Sequence, residues 1–197
     1  AELAAELAAL ATRTGATIVV EQADVSVLSD ARALLERGAG LKKNGAPLSV
    51  WHLAGVVDDG VAPALTWERF ANVLKPKVEG SLNLHAASLE TPVDRFVLFS
   101  SIYGLLGSRE LTHYSAANAF QDGLAAARAR AGLPALAVSW GTWADAGMAH
   151  RFGAGFEAHV NSTGMRMVPL DGGFRALAAL ARAARRDLCH AAVLPAD

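Results

Sequence analysis

The sequence predicts a three-layer α/β fold: a doubly wound, mainly parallel sheet with helices on both faces. Short β-branched or aromatic runs alternate with helix-length segments from residue 17 to the end of the chain. At 197 residues and 52% hydrophobic content, the chain is long enough for one substantial core and short for two. Polar residues also gather where strand-like runs give way to helix-like ones, at the edge where open α/β sheets bind ligands.

Each element has its own warrant. Leu3, Leu7 and Leu10 recur at helical spacing within residues 1–14, and Gly15 is placed to close that helix before the β-branched run Thr17-Ile-Val-Val20, which reads as a strand. A second helix spans about 29–37, and the Gly-rich, basic stretch 38–46 breaks the chain ahead of a strand at 48–53. Thr66 is a suitable N-cap for a long helix that runs towards Leu89, with a kink at Pro76. The next strand is 95–101. A helix that Tyr114 opens continues to about Ala131, where Gly132 and Pro134 stop it, and 135–140 is a buried strand. Residues 144–167 mix Gly, Met and Phe with weak periodicity and read as an irregular cover segment. A helix over 170–184 and a short strand at 190–194 follow. No repeat or low-complexity linker interrupts the pattern, so 1–197 reads as a single domain.

Composition excludes several classes of function. Nineteen acidic against eighteen basic residues give a net charge of −1 without a basic stripe, which argues against a nucleic-acid partner. Cys189 is the only cysteine, which rules out an intrachain disulfide or a Cys-cluster metal site and predicts a reducing, cytoplasmic compartment; the residue itself reads as a small buried hydrophobe. His85, His113, His150, His159 and His190 lack ligand spacing, so no metal is expected. No apolar run reaches membrane-spanning length, and the first ten residues carry acids where a signal peptide would be basic. A chain that starts with Ala1 also suggests a segment of a longer polypeptide.

The most informative feature is a set of four polar residues: Lys77, then Ser101 24 residues later, Tyr114 after 13 more, and Asn118 after another 4. Ser101 ends a strand-like run, while Tyr114 and Asn118 lie one helical turn apart on the same face, so their side chains can converge at the carboxyl edge of the sheet. A dinucleotide-binding fold normally opens with a strand and a Gly-rich turn that holds the pyrophosphate. No Gly-x-Gly-x-x-Gly occurs here, and Gly104 and Gly107 have the wrong spacing and context to replace it. The chain is therefore expected to begin after that unit.

Six motifs occur in order: Asp24-Val25, His52-Leu-Ala-Gly55, Pro76-Lys77-Val78, Phe99-Ser-Ser101, Tyr114-Ser-Ala-Ala-Asn118 and Trp140-Gly-Thr-Trp143. With them the chain resembles, over essentially its whole length, the ketoreductase domains of modular polyketide synthases, members of the short-chain dehydrogenase/reductase superfamily. The resemblance implies a Rossmann-like fold with the first βαβ unit missing from this chain. It also implies NADPH-dependent reduction of a β-ketoacyl thioester, carried by an acyl carrier protein, to the β-hydroxyacyl thioester. Tyr114 would be the general acid, with Lys77 lowering its pKa and binding the nicotinamide ribose. Ser101 would bind the substrate carbonyl oxygen, and Asn118 would position the lysine and a proton-relay water.

The same resemblance assigns further cofactor contacts to Asp24, Val25, Ala54, Gly55, Gly141 and Thr142, with Gly55 admitting close backbone approach. His52 is expected to be structural. Val57-Asp58-Asp59 resembles the Leu-Asp-Asp motif of B-type domains, which give an R (D) hydroxyl, and Leu106 stands where A-type domains carry tryptophan. Asp59, Leu106, Trp143 and Met148 are thus the expected substrate contacts, with Met148 in a lid over about 144–167. In a doubly wound sheet ordered 3-2-1-4-5-6, the strand near residue 19 would be third, next to strands this chain lacks. An upstream segment of the same polypeptide is therefore expected to complete the fold and supply the Gly-rich loop and the basic residues that select NADPH. Two competing readings are a catalytically silent scaffold of the same fold and a free-standing short-chain dehydrogenase.

Overall fold

A computed structural model describes residues 2–42, 45–144, 155–184 and 188–195. Four strands, β1 (Ser49–His52), β2 (Arg95–Ser101), β3 (Leu136–Trp140) and β4 (His190–Val193), form one parallel sheet in the order β1-β2-β3-β4. The helices are α1 (Glu2–Thr14), α2 (Leu28–Gly40), α3 (Trp67–Lys77), α4 (Glu79–Glu90), α5 (Ile102–Leu106), α6 (Thr112–Arg130), α7 (Gly155–Ser162) and α8 (Leu170–Ala183).

The period of two along β2 separates the core into two layers. Phe96 and Leu98 point to one face, where Ala31 and Leu35 of α2, Leu84 and Ala87 of α4 and Ala125 of α6 cover them. Val97 points to the other, with Val138, Trp140, Val168 and Leu177 of α8. All five residues of β3 are buried, as a parallel strand covered on both faces requires. Register then sets the site: Ser101 pairs with Trp140, and Trp140 with Val193, so the carboxyl ends of β2, β3 and β4 lie level. Arg128 braces α6 from below, its guanidinium 3.8 Å from the Phe96 ring centroid and donating to the Pro134 carbonyl at 3.0 Å. Among the described residues no helix is long and apolar enough to cross a membrane.

Several expectations need correction. Residues 17–20 are not a strand: they pair with nothing in the sheet, and Val19 and Val20 are 48% and 73% exposed. A β-branched run cannot become a strand without a neighbour to satisfy its backbone groups. The long helix after Thr66 is two helices joined at Val78. Thr66 does cap α3, accepting from the Arg69 N–H, and the break falls just after Pro76, which has no N–H to offer the helix. α2 runs on to Gly40, past the expected stop at 37. Short α5 was not anticipated, and within 144–167 the helix α7 replaces part of the expected irregular cover. Cys189 is only half-buried.

Candidate functional site

Lys77 is the last residue of α3 and is 2% exposed. Its ammonium donates to the Phe99 carbonyl at 2.8 Å and to Gln121 Oε1 at 3.1 Å, and it stands 5.8 Å from the centroid of the Tyr114 ring. Burial pushes its pKa down to about 8, against an opposing pull from the Asp122 carboxylate, so the amine remains mostly protonated at neutral pH. A Cβ on Gly55 would lie 3.1 Å from Lys77 Cε; the glycine lets the lysine stem pass beside the loop after β1. His52 is buried and meets the Pro76 carbonyl through Nε2 at 3.0 Å. Burial first, and the Lys77 charge second, lower its pKa to about 4. It is therefore neutral at pH 7, packed between β1 and the end of α3.

Ser101 ends β2 and caps α5, its Oγ accepting from the Tyr103 N–H at 3.3 Å. Tyr114, in the first turn of α6, is 7% exposed, with the polar side chains of Ser101 and Asn118 beside its phenol. Burial raises its pKa above the ordinary phenol value; Ser101 and Asn118 oppose the shift and Tyr103 adds to it. Lys77, expected to lower that pKa, stands 5.8 Å from the centre of the phenol ring, and burial sets the net direction. Desolvation of the phenol is the largest cause of the shift. Asn118 is fully buried, and its Nδ2 donates to the Tyr114 carbonyl at 2.7 Å. Its Oδ1 has no hydrogen-bond partner within the protein. A Cβ on Gly104 would sit 3.0 Å from the Ala119 nitrogen, so α5 presses against α6 with no room for a side chain.

The other expected contacts are distributed around this centre. Asp24 is exposed and shaped as a turn cap: Oδ1 accepts from the Ser26 N–H at 2.9 Å and its hydroxyl at 2.6 Å, while Oδ2 lies 3.4 Å from Lys75 Nζ. Val25 is tied to α4, its carbonyl accepting from Asn83 Nδ2 at 3.1 Å. Ala54 is exposed beside half-buried Gly55. Gly141 donates to the Val193 carbonyl at 2.8 Å, and Thr142 accepts from the Val168 N–H at 2.7 Å, so both are held at the carboxyl edge. Trp143 is a packing residue: its ring lies 4.6 Å from that of Trp140 and 5.6 Å from that of Phe174, and a Cβ on Gly173 would come within 2.4 Å of it. Leu106 is 67% exposed at the end of α5, and Met148 lies outside the described residues.

The loop after β1 is more ordered than two solvated acids would make it. Arg69 grips Asp58 through two nitrogens, Nε to Oδ2 at 2.8 Å and a terminal nitrogen to Oδ1 at 2.5 Å, and donates to the Asp59 carbonyl at 2.7 Å. The guanidinium holds the Asp58 carboxyl below the ordinary aspartate range. Partial burial, with the charges of Glu110 and Asp58, raises that of Asp59. Arg69 was not singled out in the sequence, nor were Gln121, Ser81 and Asp122. The available signal for Gln121 was periodicity: positions 114, 118, 121 and 125 share one face of α6, and a polar residue there is turned inward.

Comparison with known proteins agrees with this geometry. A family model described as the KR domain matches residues 1–145. The phenolphthiocerol synthesis polyketide synthase type I Pks15/1 of Mycobacterium marinum is 43% identical over 162 residues, which is 82% of this chain and 7% of that synthase. Polyketide synthase GfsB of Streptomyces halstedii is 44% identical over 138 residues, 70% of this chain and 2% of that protein. This chain thus spans a small part of the synthases it matches. Among solved structures, an A-type ketoreductase from a modular polyketide synthase aligns with a TM-score of 0.85 at 30% identity, over 98% of this chain and 39% of that one. The first ketoreductase of the tylosin synthase gives 0.84 at 35% identity, over 100% of this chain and 41% of that one. Carrying both the matching residues and the matching fold, the chain belongs to the KR domain family, the polyketide synthase ketoreductases of the short-chain dehydrogenase/reductase superfamily.

Proposed function

We propose that this chain carries the catalytic site of an NADPH-dependent reductase that turns the β-ketoacyl thioester of an acyl carrier protein into the β-hydroxyacyl thioester, in the cytoplasm. One observation carries the reading: Lys77, Ser101, Tyr114 and Asn118, far apart in sequence, converge at the carboxyl edge of the sheet.

The residues present fit the nicotinamide-ribose end of the cofactor. Lys77 has one N–H beyond the two that the protein engages, and Asn118 Oδ1 is a buried acceptor that needs a donor. Gly141 and Thr142 border the same edge. The pyrophosphate and 2′-phosphate end we assign to an upstream segment of the same synthase, because the chain has no Gly-rich turn of the required spacing. When bound, NADPH supplies the hydride that reduces the carbonyl carbon.

The side chains do the rest. Ser101 Oγ donates to the carbonyl oxygen and stabilises its growing negative charge. Tyr114 gives up its hydroxyl proton to that oxygen. With its pKa above the ordinary phenol value, it stays protonated at neutral pH and is ready to donate. Asn118 Oδ1 accepts a hydrogen bond from the donor that reprotonates the phenolate, and Lys77 supplies a fixed positive charge beside it. The pairing of Arg69 with Asp58 supports a preset Asp58-Asp59 loop beside the substrate, and with Leu106 in place of tryptophan it favours the B-type, R (D) product.

The test is product analysis. The chain joined to its upstream segment is incubated with NADPH and a β-ketoacyl N-acetylcysteamine thioester, and the alcohol is resolved on a chiral column. An R (D) alcohol that vanishes with Tyr114→Phe is the expected result. An S alcohol would overturn the B-type assignment alone, and no alcohol would favour the scaffold reading.

A further inference from the structure

We infer that Gln121 is a positioning residue for Lys77: its side-chain oxygen, locked in place by Ser81, fixes the direction of the lysine N–H left free for a ligand. The inference rests on the reductase reading for its consequence in catalysis, but its structural basis stands apart from it. A lysine ammonium is a compact charge on a flexible four-carbon stem with three rotatable donors. Left alone at the end of a helix it would not hold one geometry. Here two acceptors from different elements engage it, the Phe99 carbonyl from β2 at 2.8 Å and Gln121 Oε1 from α6 at 3.1 Å. With two of three tetrahedral donors fixed, the third has one direction.

Gln121 is itself fixed. It is fully buried, and its Nε2 donates to Ser81 Oγ at 3.0 Å, with Ser81 also fully buried on α4. A flipped amide would set its NH2 against the ammonium and its oxygen against Ser81, so the charge on Lys77 selects the orientation. The helical repeat places Tyr114, Asn118 and Gln121 on one face of α6, so one rigid helix aims the phenol, the amide and the lysine together. Asp122, the next residue, acts on Lys77 through charge, while its carboxylate accepts from Ser139 Oγ at 3.4 Å and lies 3.5 Å from His190 Nε2. The titratable groups facing Lys77 are thus Tyr114 and Asp122 from α6 and His52 from β1, with only the Phe99 carbonyl from β2.

Removing an acceptor from a buried ammonium favours the neutral amine, and replacing it with a carboxylate favours the charge. The test is an NMR titration of the Lys77 13Cε resonance in the full chain, which needs no cofactor or turnover. Lys77 should titrate near pH 8 in the parent protein. Gln121→Leu should move the midpoint lower by about one pH unit, a roughly tenfold change in the amine-to-ammonium ratio, Gln121→Glu should move it higher, and Ser81→Ala should give a smaller shift in the direction of Leu. Titration at the parental pH in both Gln121 variants would overturn the inference. Should Gln121→Leu fail to fold, Gln121→Glu decides the matter alone. In the active enzyme, the alkaline limb of kcat should move in the same directions. Absence of turnover in the parent protein would count against the reductase reading and leave the titration to decide the role of Gln121.

Discussion

The carboxyl edge around β2 and α6 and the segment 17–20 are made of similarly apolar sequence, yet only one became ordered sheet. Val97 and Leu98 have a parallel neighbour on each side, Phe96 has one in β1, helices lie above and below, and each of the three is at most 2% exposed. Ile18, Val19 and Val20 have the composition of a strand and no neighbour, and their backbone stays outside the sheet. Strand character belongs to the pair rather than to the run, since backbone groups and side chains alike are satisfied by the adjacent strand. The residues proposed as catalytic follow the ordered half: Ser101 ends β2, and Tyr114 and Asn118 sit on the helix that covers it.

That contrast can be broken in several ways. The largest effect should come at the edge itself: Tyr114→Phe removes the proposed proton donor and should lower kcat by about 10²- to 10⁴-fold, with unfolding by urea unchanged within error. Next is the core beneath. Leu98→Ala, at a fully buried position between β1 and β3, should cost about 2–5 kcal/mol in denaturant-derived stability. A pH effect of similar size should arise at β1. Folded His52 is held neutral with a pKa near 4, whereas in the unfolded chain it protonates below about 6.5, so acid favours unfolding. Its contribution, about 3 kcal/mol, is present above pH 6.5 and is lost as the pH falls through about 4. His52→Gln, which can still donate to the Pro76 carbonyl, should flatten that part of the stability profile relative to the parent. The smallest effect belongs to the unpaired segment: Val20→Thr should change stability by less than about 0.5 kcal/mol. A cost near that of Leu98→Ala would mean that residues 17–20 are packed after all.

Much of the fold was legible because hydrophobic period and punctuation agreed. The strand at 95–101 and the helix cap at Thr66 were read to the residue, and the stop after Ala131 followed from Gly132 and Pro134. The false strand at 17–20 shows the limit, since a run of residues does not announce its partner. The four-residue set of Lys77, Ser101, Tyr114 and Asn118 was visible through spacing and resemblance. Its electrostatics were not: the depth at which the Tyr114 phenol is buried and the acceptors that hold Lys77 follow only from the fold. The grip of Arg69 on Asp58 escaped for a related reason, because an arginine on a helix reads as solvated until the loop folds back onto it. Trp143, a motif residue expected at the substrate, also packs on α8, a contact its place in the sequence did not announce.

The central proposal is that this chain would hold the chemistry while an upstream segment would complete the sheet beside residues 17–20 and hold the distal end of the cofactor. The most direct measurement is reduced-nicotinamide oxidation with a β-ketoacyl thioester by the chain alone and by the chain joined to that segment, with amide hydrogen exchange at residues 17–20 followed in both. Turnover and slowed exchange should appear together, and only in the joined protein. Equal turnover by the chain alone, or protection of residues 17–20 without turnover in the joined protein, would contradict the account.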